Sequence, residues 1–319
     1  METKKKKSIV RLVIVLAVIA AVCIVFHFLT GRIFLTGSNI LALFPHAIIP
    51  CFLGWALCFV FACDFTDMSL GPIVILAANA AGILGSTSLG YFGIILGAMV
   101  VSVICVMINF LLFAKSRIPS WIVSIGMVMV YEAIGVFYSN YQFSHGGSLA
   151  QLSEDMRGLA RAPMIYIVFF IGFVLAYVLY NYTTIGLKVR SLGSGQRISE
   201  AMGINIVKTI LLVGIIVGIF VGCSAFLNES YNSRMNIKSG LTGMTMIFQP
   251  IAAVMLAQVL KSRINIIIGV PICSLFVYAI FNMLTIVGVP SGTLQEAVLG
   301  LIVIVFGIMA QRGVKKVVK

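Results

Sequence analysis

Long apolar runs, about ten of them, follow one another along almost the whole chain. A helix needs about 20 residues to cross the hydrocarbon core of a bilayer, and lipid offers no hydrogen-bond partner to an irregular backbone. We therefore predict an all-α, polytopic membrane protein with about ten transmembrane helices. The predicted helices are Leu12–Leu29, Ile40–Cys63, Leu70–Ser86, Tyr91–Ala114, Trp121–Tyr138, Pro163–Tyr180, Thr209–Leu227, Leu241–Leu260, Ile264–Val287 and Leu294–Met309.

The composition excludes an ordinary soluble domain. Hydrophobic residues make up 61% of the chain and charged residues only 10%, whereas soluble domains carry about 25% charged residues. Once the helices are counted, 319 residues leave little more than short loops. We therefore predict a single transmembrane domain over residues 1–319, whose first apolar run is too long for a signal peptide and lacks a cleavage site.

The net charge of +13 is explained by topology. The basic residues form short clusters between apolar runs, and no basic face with interleaved aromatic residues indicates nucleic-acid binding. If the N-terminus is cytoplasmic and the chain crosses ten times, 17 of the 22 Lys and Arg residues face the cytoplasm. This asymmetry agrees with the positive-inside rule and predicts that both termini lie in the cytoplasm.

Two loops are long enough to have functions of their own, an external one over residues 139–161 and a cytoplasmic one over residues 183–204. There is also a faint internal repeat. Ile118-Pro119-Ser120 would open the fifth helix from inside, and Val289-Pro290-Ser291 would open the tenth from outside. An inverted repeat would begin equivalent helices from opposite faces of the membrane, although two tripeptides could also match by chance.

Five polar residues in or beside the apolar runs are candidates for the translocation pathway. Asp67 could line a break in the path or could be a loop acid near the helix that Ser69 would cap, and Glu132 could face a cavity, because a charge at membrane depth is costly. Amide side chains could bind cargo hydroxyls or simply join helices. The candidates are Asp67, Asn109, Glu132, Gln249 and Asn282.

The sequence indicates no chemistry of its own. We find no nucleophile with a base, no metal-ligand spacing and no cofactor motif, so we predict no catalytic residue, metal or cofactor. The Walker signature G-x-x-x-x-G-K-[ST] is absent, so any ATP hydrolysis would take place on a separate subunit.

Four segments in the same order resemble permease subunits of ribose-type sugar ABC importers. Thr183–Ile204 resembles the cytoplasmic loop of that family, and Asp67–Gly71 (DMSLG) resembles its Ile-Asp-Leu-Ser-Val-Gly element. Phe113–Gly126 resembles an Ala-Lys-x-x-Ile-Pro run, and Gln249–Ala257 (QPIAAVMLA) resembles Asp-Ala-Ile-Ala-Ala-Val-Val-Leu-Gly. Together the four segments span most of the chain.

The chain departs from the family pattern at three places. Asp64 and Phe65 stand where the family has paired glycines, Gln249 replaces an acidic residue, and Ala257 is followed by Gln258 where the family continues with glycines. Glycine permits a backbone approach that a side chain blocks. We therefore interpret the chain as a divergent member, which could be one half of a heterodimer.

The resemblance implies a bacterial inner-membrane permease for a small polar solute, most simply a monosaccharide such as ribose. It implies an ABC ATPase, an external substrate-binding protein and a second permease subunit, the same or different, as partners in the lipid membrane. A short helix over residues 199–203 would dock on the ATPase. The implied coupling residues are Gly186, Arg190, Gly193, Ser199, Glu200, Ala201 and Gly203.

Other functions stay open on the sequence alone. The cargo could be a nucleoside or a branched-chain amino acid. An ion-coupled secondary transporter would need an intramembrane acid, for which Asp67 and Glu132 are the candidates. A membrane-embedded enzyme would need polar residues clustered at one depth, and a non-transporting subunit that stabilises a partner permease is a further alternative.

Overall fold

A computed structural model of the protein describes residues 24–313, except residues 117, 194, 237, 262, 290 and 291. Residues 24–29 are helical, and no strand occurs in the described part of the chain. Two 3-10 turns, Glu154–Ala160 and Thr242–Met244, lie between α-helices. The α-helices are α1 (Gly37–Ala62), α2 (Leu70–Gly85), α3 (Gly90–Lys115), α4 (Ser120–Ser144), α5 (Met164–Asn181), α6 (Thr184–Leu192), α7 (Gln196–Ala201), α8 (Ile206–Asn232), α9 (Thr245–Leu260), α10 (Ile266–Ile286) and α11 (Thr293–Gly313).

The all-helical, polytopic fold is confirmed. Within the described residues, seven helices are long and apolar enough to cross a membrane, and two shorter apolar helices, Leu70–Gly85 and Leu294–Ala310, accompany them. Nine of the ten predicted runs coincide with these helices. The first predicted helix lies mostly outside the described residues, which contain only its last six positions.

The predicted helix ends differ most at α4, which continues six residues beyond Tyr138, and at α8, which continues five residues beyond Leu227. The extension of α8 forms part of the candidate site. The extra turn is polar, but its amide side chains bond back to the helix. Asn228 donates from Nδ2 to the carbonyl of Ser224 at 2.9 Å, and Asn232 donates to the carbonyl of Asn228 at 3.0 Å. As a result Glu229 lies inside a helix and is buried.

The core is built around α1 and α8. Trp55 of α1 is fully buried, and its ring packs against Phe169 and Phe220. Its indole Nε1 donates to the carbonyl of Ile267 at 3.0 Å. Pro271 has no amide hydrogen, so it leaves that carbonyl without its usual helical donor. The indole replaces the missing bond and joins α1 to α10.

Glycines bring α3 and α8 close together. Gly214, Gly218 and Gly222 lie four residues apart on one face of α8, and a Cβ at Gly218 or Gly222 would overlap α3. Small residues at this spacing permit close packing of membrane helices. Ser102 of α3 uses the close approach to donate from Oγ to the carbonyl of Gly218 at 2.8 Å. This contact fixes α8 and leaves its last turns free to face a cavity.

The predicted external loop packs on the C-terminal end of α8. Its backbone N–H at Leu152 donates to the carbonyl of Ser233 at 2.9 Å. Arg157 donates to the carbonyls of Ser230 and Tyr231, which is a favourable position for a cation at a helix C-terminus. Glu154 in turn accepts hydrogen bonds from Arg157 and Arg161.

The predicted cytoplasmic loop forms two short helices, α6 and α7. The predicted helix over residues 199–203 is displaced, because α7 spans Gln196–Ala201. The backbone φ of +78° at Gly203 ends the helical path, since this left-handed conformation favours glycine. The loop is therefore a compact helical pair at the end of the bundle.

Candidate translocation cavity

A cavity of about 390 Å³ lies between five helices, within the size range of small-molecule sites. It is lined by the middle of α1, by the N-terminal parts of α9 and α11 and by the C-terminal parts of α8 and α10. Because consecutive crossings alternate in direction, the parts from α8 to α11 meet at one end of the bundle. The lining residues are His46, Ile49, Pro50, Leu53, Ser224, Asn228, Tyr231, Asn232, Thr245, Met246, Gln249, Pro250, Tyr278, Phe281, Gly292, Gln295, Glu296 and Leu299.

Aromatic rings form one wall of the cavity. The ring of His46 stacks on Tyr278 with centroids 4.9 Å apart and an interplanar angle of 12°. Its Nε2 is hydrogen-bonded to the hydroxyl of Tyr231 at 2.7 Å. This bond joins α1 to α8 and holds the imidazole parallel to the phenol of Tyr278. The wall therefore presents fixed aromatic faces beside the polar atoms of the imidazole and the tyrosine hydroxyls. Such a wall suits a small polar molecule that has an apolar ring face.

Gln249 contributes a free donor to the cavity lining. Its Nε2 is buried and has no hydrogen-bond partner. A buried donor without a partner costs about 1–3 kcal/mol, so such groups in native proteins call for an explanation. Because Gln249 also lines the cavity, its amide is a candidate for a hydrogen bond to cargo.

Two prolines add free acceptors to the same lining. Pro50 lies within α1 and Pro250 within α9. Neither has an amide hydrogen, so the carbonyls four residues earlier, at His46 and Met246, lose their helical donors. His46 and Met246 both line the cavity. The prolines thus leave two backbone carbonyls of cavity-lining residues without their helical hydrogen bonds.

Glu132, a predicted pathway residue, caps the 3-10 turn Thr242–Met244 that leads into α9. Its Oε2 accepts from the backbone N–H of Leu241 at 2.8 Å, and its Oε1 accepts from the N–H of Gly243 at 2.7 Å. A carboxylate at a helix N-terminus is stabilising. Gly71 packs against the carbonyl of Gly243 so closely that a Cβ would overlap it. The turn before the cavity residues of α9 is therefore fixed from two sides.

Asp67 and Asn109, also predicted pathway residues, belong to a buried network beyond the cavity lining. Asp67 Oδ1 accepts from the N–H and the hydroxyl of Ser69 at 2.9 and 2.6 Å, and its Oδ2 accepts from Asn109 Nδ2 at 3.2 Å. The hydroxyl of Tyr131 donates to Asn109 Oδ1 at 2.9 Å. Burial raises the pKa of the Asp67 carboxyl, and the hydrogen bonds from Ser69 and Asn109 oppose that rise. Ser69 makes no side-chain cap on α2, contrary to expectation.

Asn282, the last predicted pathway residue, pairs with Asn39. The two amides exchange hydrogen bonds at 2.9 and 3.1 Å. The pair lies one position beyond the cavity residue Phe281 and joins α10 to the first turn of α1. Of the five predicted pathway residues, the structure brings Gln249 alone into the lining of this cavity, and the pathway roles of all five stay predictions.

Glu229 is a buried acid that the sequence did not single out. Its Oε2 accepts from the backbone N–H of Met235 at 3.1 Å, and Asn79 of α2 donates to the carbonyl of the same residue at 3.1 Å. Both side chains hold the connection between α8 and α9. The cavity residues His46, Tyr231 and Tyr278 were missed for a different reason, because they are far apart in sequence and only the fold brings them together.

The implied coupling residues lie at the opposite end of the bundle from the cavity. Gly186 is buried against the end of α5, and Gly193 packs against the carbonyl of Ala62, the last residue of α1. The guanidinium of Arg190 lies over the ring of Tyr180, 5.5 Å from its centroid. Ser199 is buried, whereas Glu200, Ala201 and Gly203 are exposed. Within the described residues, no group of three or more His, Cys, Asp or Glu could hold a metal ion.

The cap formed by Glu132 yields a first prediction. Replacing Glu132 with Gln turns one carboxylate oxygen into an NH₂ group that faces a backbone donor. We expect the free energy of unfolding to fall by about 1.5–3 kcal/mol, measured by thermal unfolding in detergent. The control is Asp155→Asn, at an exposed acid, which should change stability by less than about 0.5 kcal/mol. Equal stability of Glu132→Gln and the unmodified protein would contradict the capping role.

Comparison with known proteins agrees with this architecture. A family model for the permease component of branched-chain amino acid transport systems matches residues 36–307. An L-arabinose ABC transporter permease of Azospirillum brasilense is 25% identical over 274 residues, which cover 82% of this chain and 77% of the relative. No solved structure gives a significant match. Because the family model extends from α1 into α11, the protein belongs to the family of branched-chain amino acid transport system permease components.

Proposed function

We propose that the protein is the membrane-spanning permease subunit of an ATP-driven importer for a neutral monosaccharide. The observation that carries this proposal is the lining of the cavity. Its described residues offer amides, hydroxyls and aromatic rings, but no Lys or Arg, and Glu296 is the one carboxylate. These groups suit a molecule with many hydroxyls and no charge.

The same lining argues against an amino acid as cargo. A zwitterion brings a carboxylate and an ammonium, and a charge taken out of water is costly unless it is paired. The described lining has no cationic side chain for the carboxylate. The N–H groups of Leu241 and Gly243 just before α9 are already bonded to Glu132. The family name therefore gives a weaker guide to the cargo than the L-arabinose relative does.

We further propose that the chain crosses the membrane ten times with both termini in the cytoplasm. The seven long helices, the two shorter apolar helices and the first apolar run together supply ten crossings. In this orientation the cavity lies at the external ends of its helices, where a substrate-binding protein would deliver cargo. The external loop, held on α8 by Arg157, would lie beside that opening.

The coupling surface for an ABC ATPase would be formed by α6 and α7. Leu187, Ile198 and Met202 are each more than half exposed, which is unusual for apolar side chains in a loop outside lipid and favours a protein partner. Gly193 joins this surface to the inner end of α1. The middle of α1 carries His46 and Pro50 of the cavity. Movement of the docked ATPase would thus reach the cavity through one buried helix.

Uptake into proteoliposomes tests the proposed function. The chain would be reconstituted with its ATPase, a second permease subunit where one is needed, and its binding protein. L-arabinose and ribose would be compared with leucine. We expect uptake of at least one pentose that requires internal ATP and continues without a proton or sodium gradient. Leucine should not accumulate, because the described cavity lining has no cationic side chain to pair with its carboxylate.

The controls separate the alternative functions. Uptake that follows an ion gradient without ATP would support a secondary transporter and overturn the proposal. Transport of leucine in place of both pentoses would overturn the cargo class. Full transport by the other subunits without this chain would show that it has a supporting role.

A substitution on α7 tests the coupling surface. Ile198→Glu places a charge in the proposed apolar contact, and we expect at least a tenfold loss of the ATPase that co-purifies with the permease. Leu89→Glu is the matched control, since Leu89 is an exposed apolar residue in a turn at the opposite end of the bundle. Equal ATPase recovery with both variants would exclude α7 from the contact.

A further inference from the structure

Gln249 has the properties of a selective contact. It lies in the second turn of α9, shortly after the turn whose backbone N–H groups Glu132 binds. Contacts outside the cavity therefore fix its backbone. The residue lines the cavity, and its Nε2 is buried and has no hydrogen-bond partner within the described structure. A donor held in place and unpaired is prepared for an acceptor that arrives with the cargo.

The acceptors nearest in sequence are backbone carbonyls. Met246 is three residues before Gln249 on the same helix and also lines the cavity, and His46 lines it from α1. Pro250 and Pro50 leave the carbonyls of these two residues without helical donors. The site therefore combines a free N–H donor with free carbonyl acceptors.

A hydroxyl satisfies both kinds of group at once, since it can accept one hydrogen bond and donate another. An ammonium group cannot accept from Nε2. A carboxylate can accept from Nε2 but would face carbonyl oxygens without a proton to offer them. A deoxy position would leave both sides unpaired, and sites built to bond a hydroxyl reject analogues that lack it.

We infer that Gln249 is a specificity-determining residue whose Nε2 donates to one hydroxyl of the cargo, while that hydroxyl donates to the carbonyl of His46 or Met246. The inference rests on the proposed function, because it identifies how the same cavity selects a monosaccharide. It adds that selection takes place in the permease as well as in the binding protein.

The experiment measures selectivity at one hydroxyl. L-arabinose, ribose and their monodeoxy analogues would be supplied on saturating amounts of preloaded binding protein, so that selection by the binding protein does not enter the rate. With the unmodified permease, we expect one monodeoxy analogue to be transported about tenfold more slowly than its parent. In Gln249→Met, which keeps the side-chain length without an amide, the ratio for that analogue should fall to about one.

Two further variants complete the test. Gln249→Glu keeps the shape of the side chain and one acceptor oxygen but replaces the NH₂ donor with a second acceptor oxygen, so with the carboxyl ionised it should also lose the selectivity. Gln258→Met makes the same chemical change on α9 outside the cavity lining and should keep the tenfold ratio.

The outcomes separate the inference from the proposed function. If the unmodified permease transports a pentose but discriminates against no monodeoxy analogue, or if Gln249→Met keeps the ratio, the inference is wrong and the function stands. Unchanged selectivity in Gln249→Glu would also overturn the assignment of Nε2 as donor. If the unmodified complex transports no sugar, both fail together.

Discussion

Inside a bilayer a polar group finds no water, so each must be bonded within the protein, and this constraint determines most of what the structure shows. The backbone meets it by forming helices. Polar side chains meet it in small local groups: Glu132 bonds two N–H groups just before α9, and Asn39 and Asn282 bond each other. Even the carbonyl that Pro271 leaves free is bonded by Trp55. Bonds of this kind fix the helices relative to one another.

The cavity is one place where polar groups of the described structure lack such partners. Pro50 and Pro250 leave carbonyls without helical donors, and the Nε2 of Gln249 has no partner. These free groups are concentrated among residues that line one space, beside the stacked rings of His46 and Tyr278. Such a site gains stability when a polar but uncharged molecule enters it. An importer must also release that molecule, and a few neutral hydrogen bonds allow release more readily than paired charges would.

The sequence predicted the helices well because apolar length follows directly from bilayer thickness. It missed the last five residues of α8. Apolar periodicity does not show the hydrogen bonds that Asn228 and Asn232 donate to preceding carbonyls, and these bonds keep the polar turn helical. Of the cavity, Gln249 could be predicted as a polar residue in a helix. The wall of His46, Tyr231 and Tyr278 could not, since its bonds join residues up to 185 positions apart. Family motifs indicated the coupling loop, whereas the contact of Gly193 with Ala62 required the fold.

Access to the cavity tests the central claim most directly. Thr245 lines the cavity and is exposed, so a single cysteine at Thr245→Cys in a cysteine-free background would report access through its reaction with a membrane-impermeant thiol reagent. The account predicts labelling from the external face of intact cells, slowed by the transported monosaccharide with its binding protein and not by leucine. Labelling from the cytoplasmic face alone, or equal protection by leucine, would contradict it.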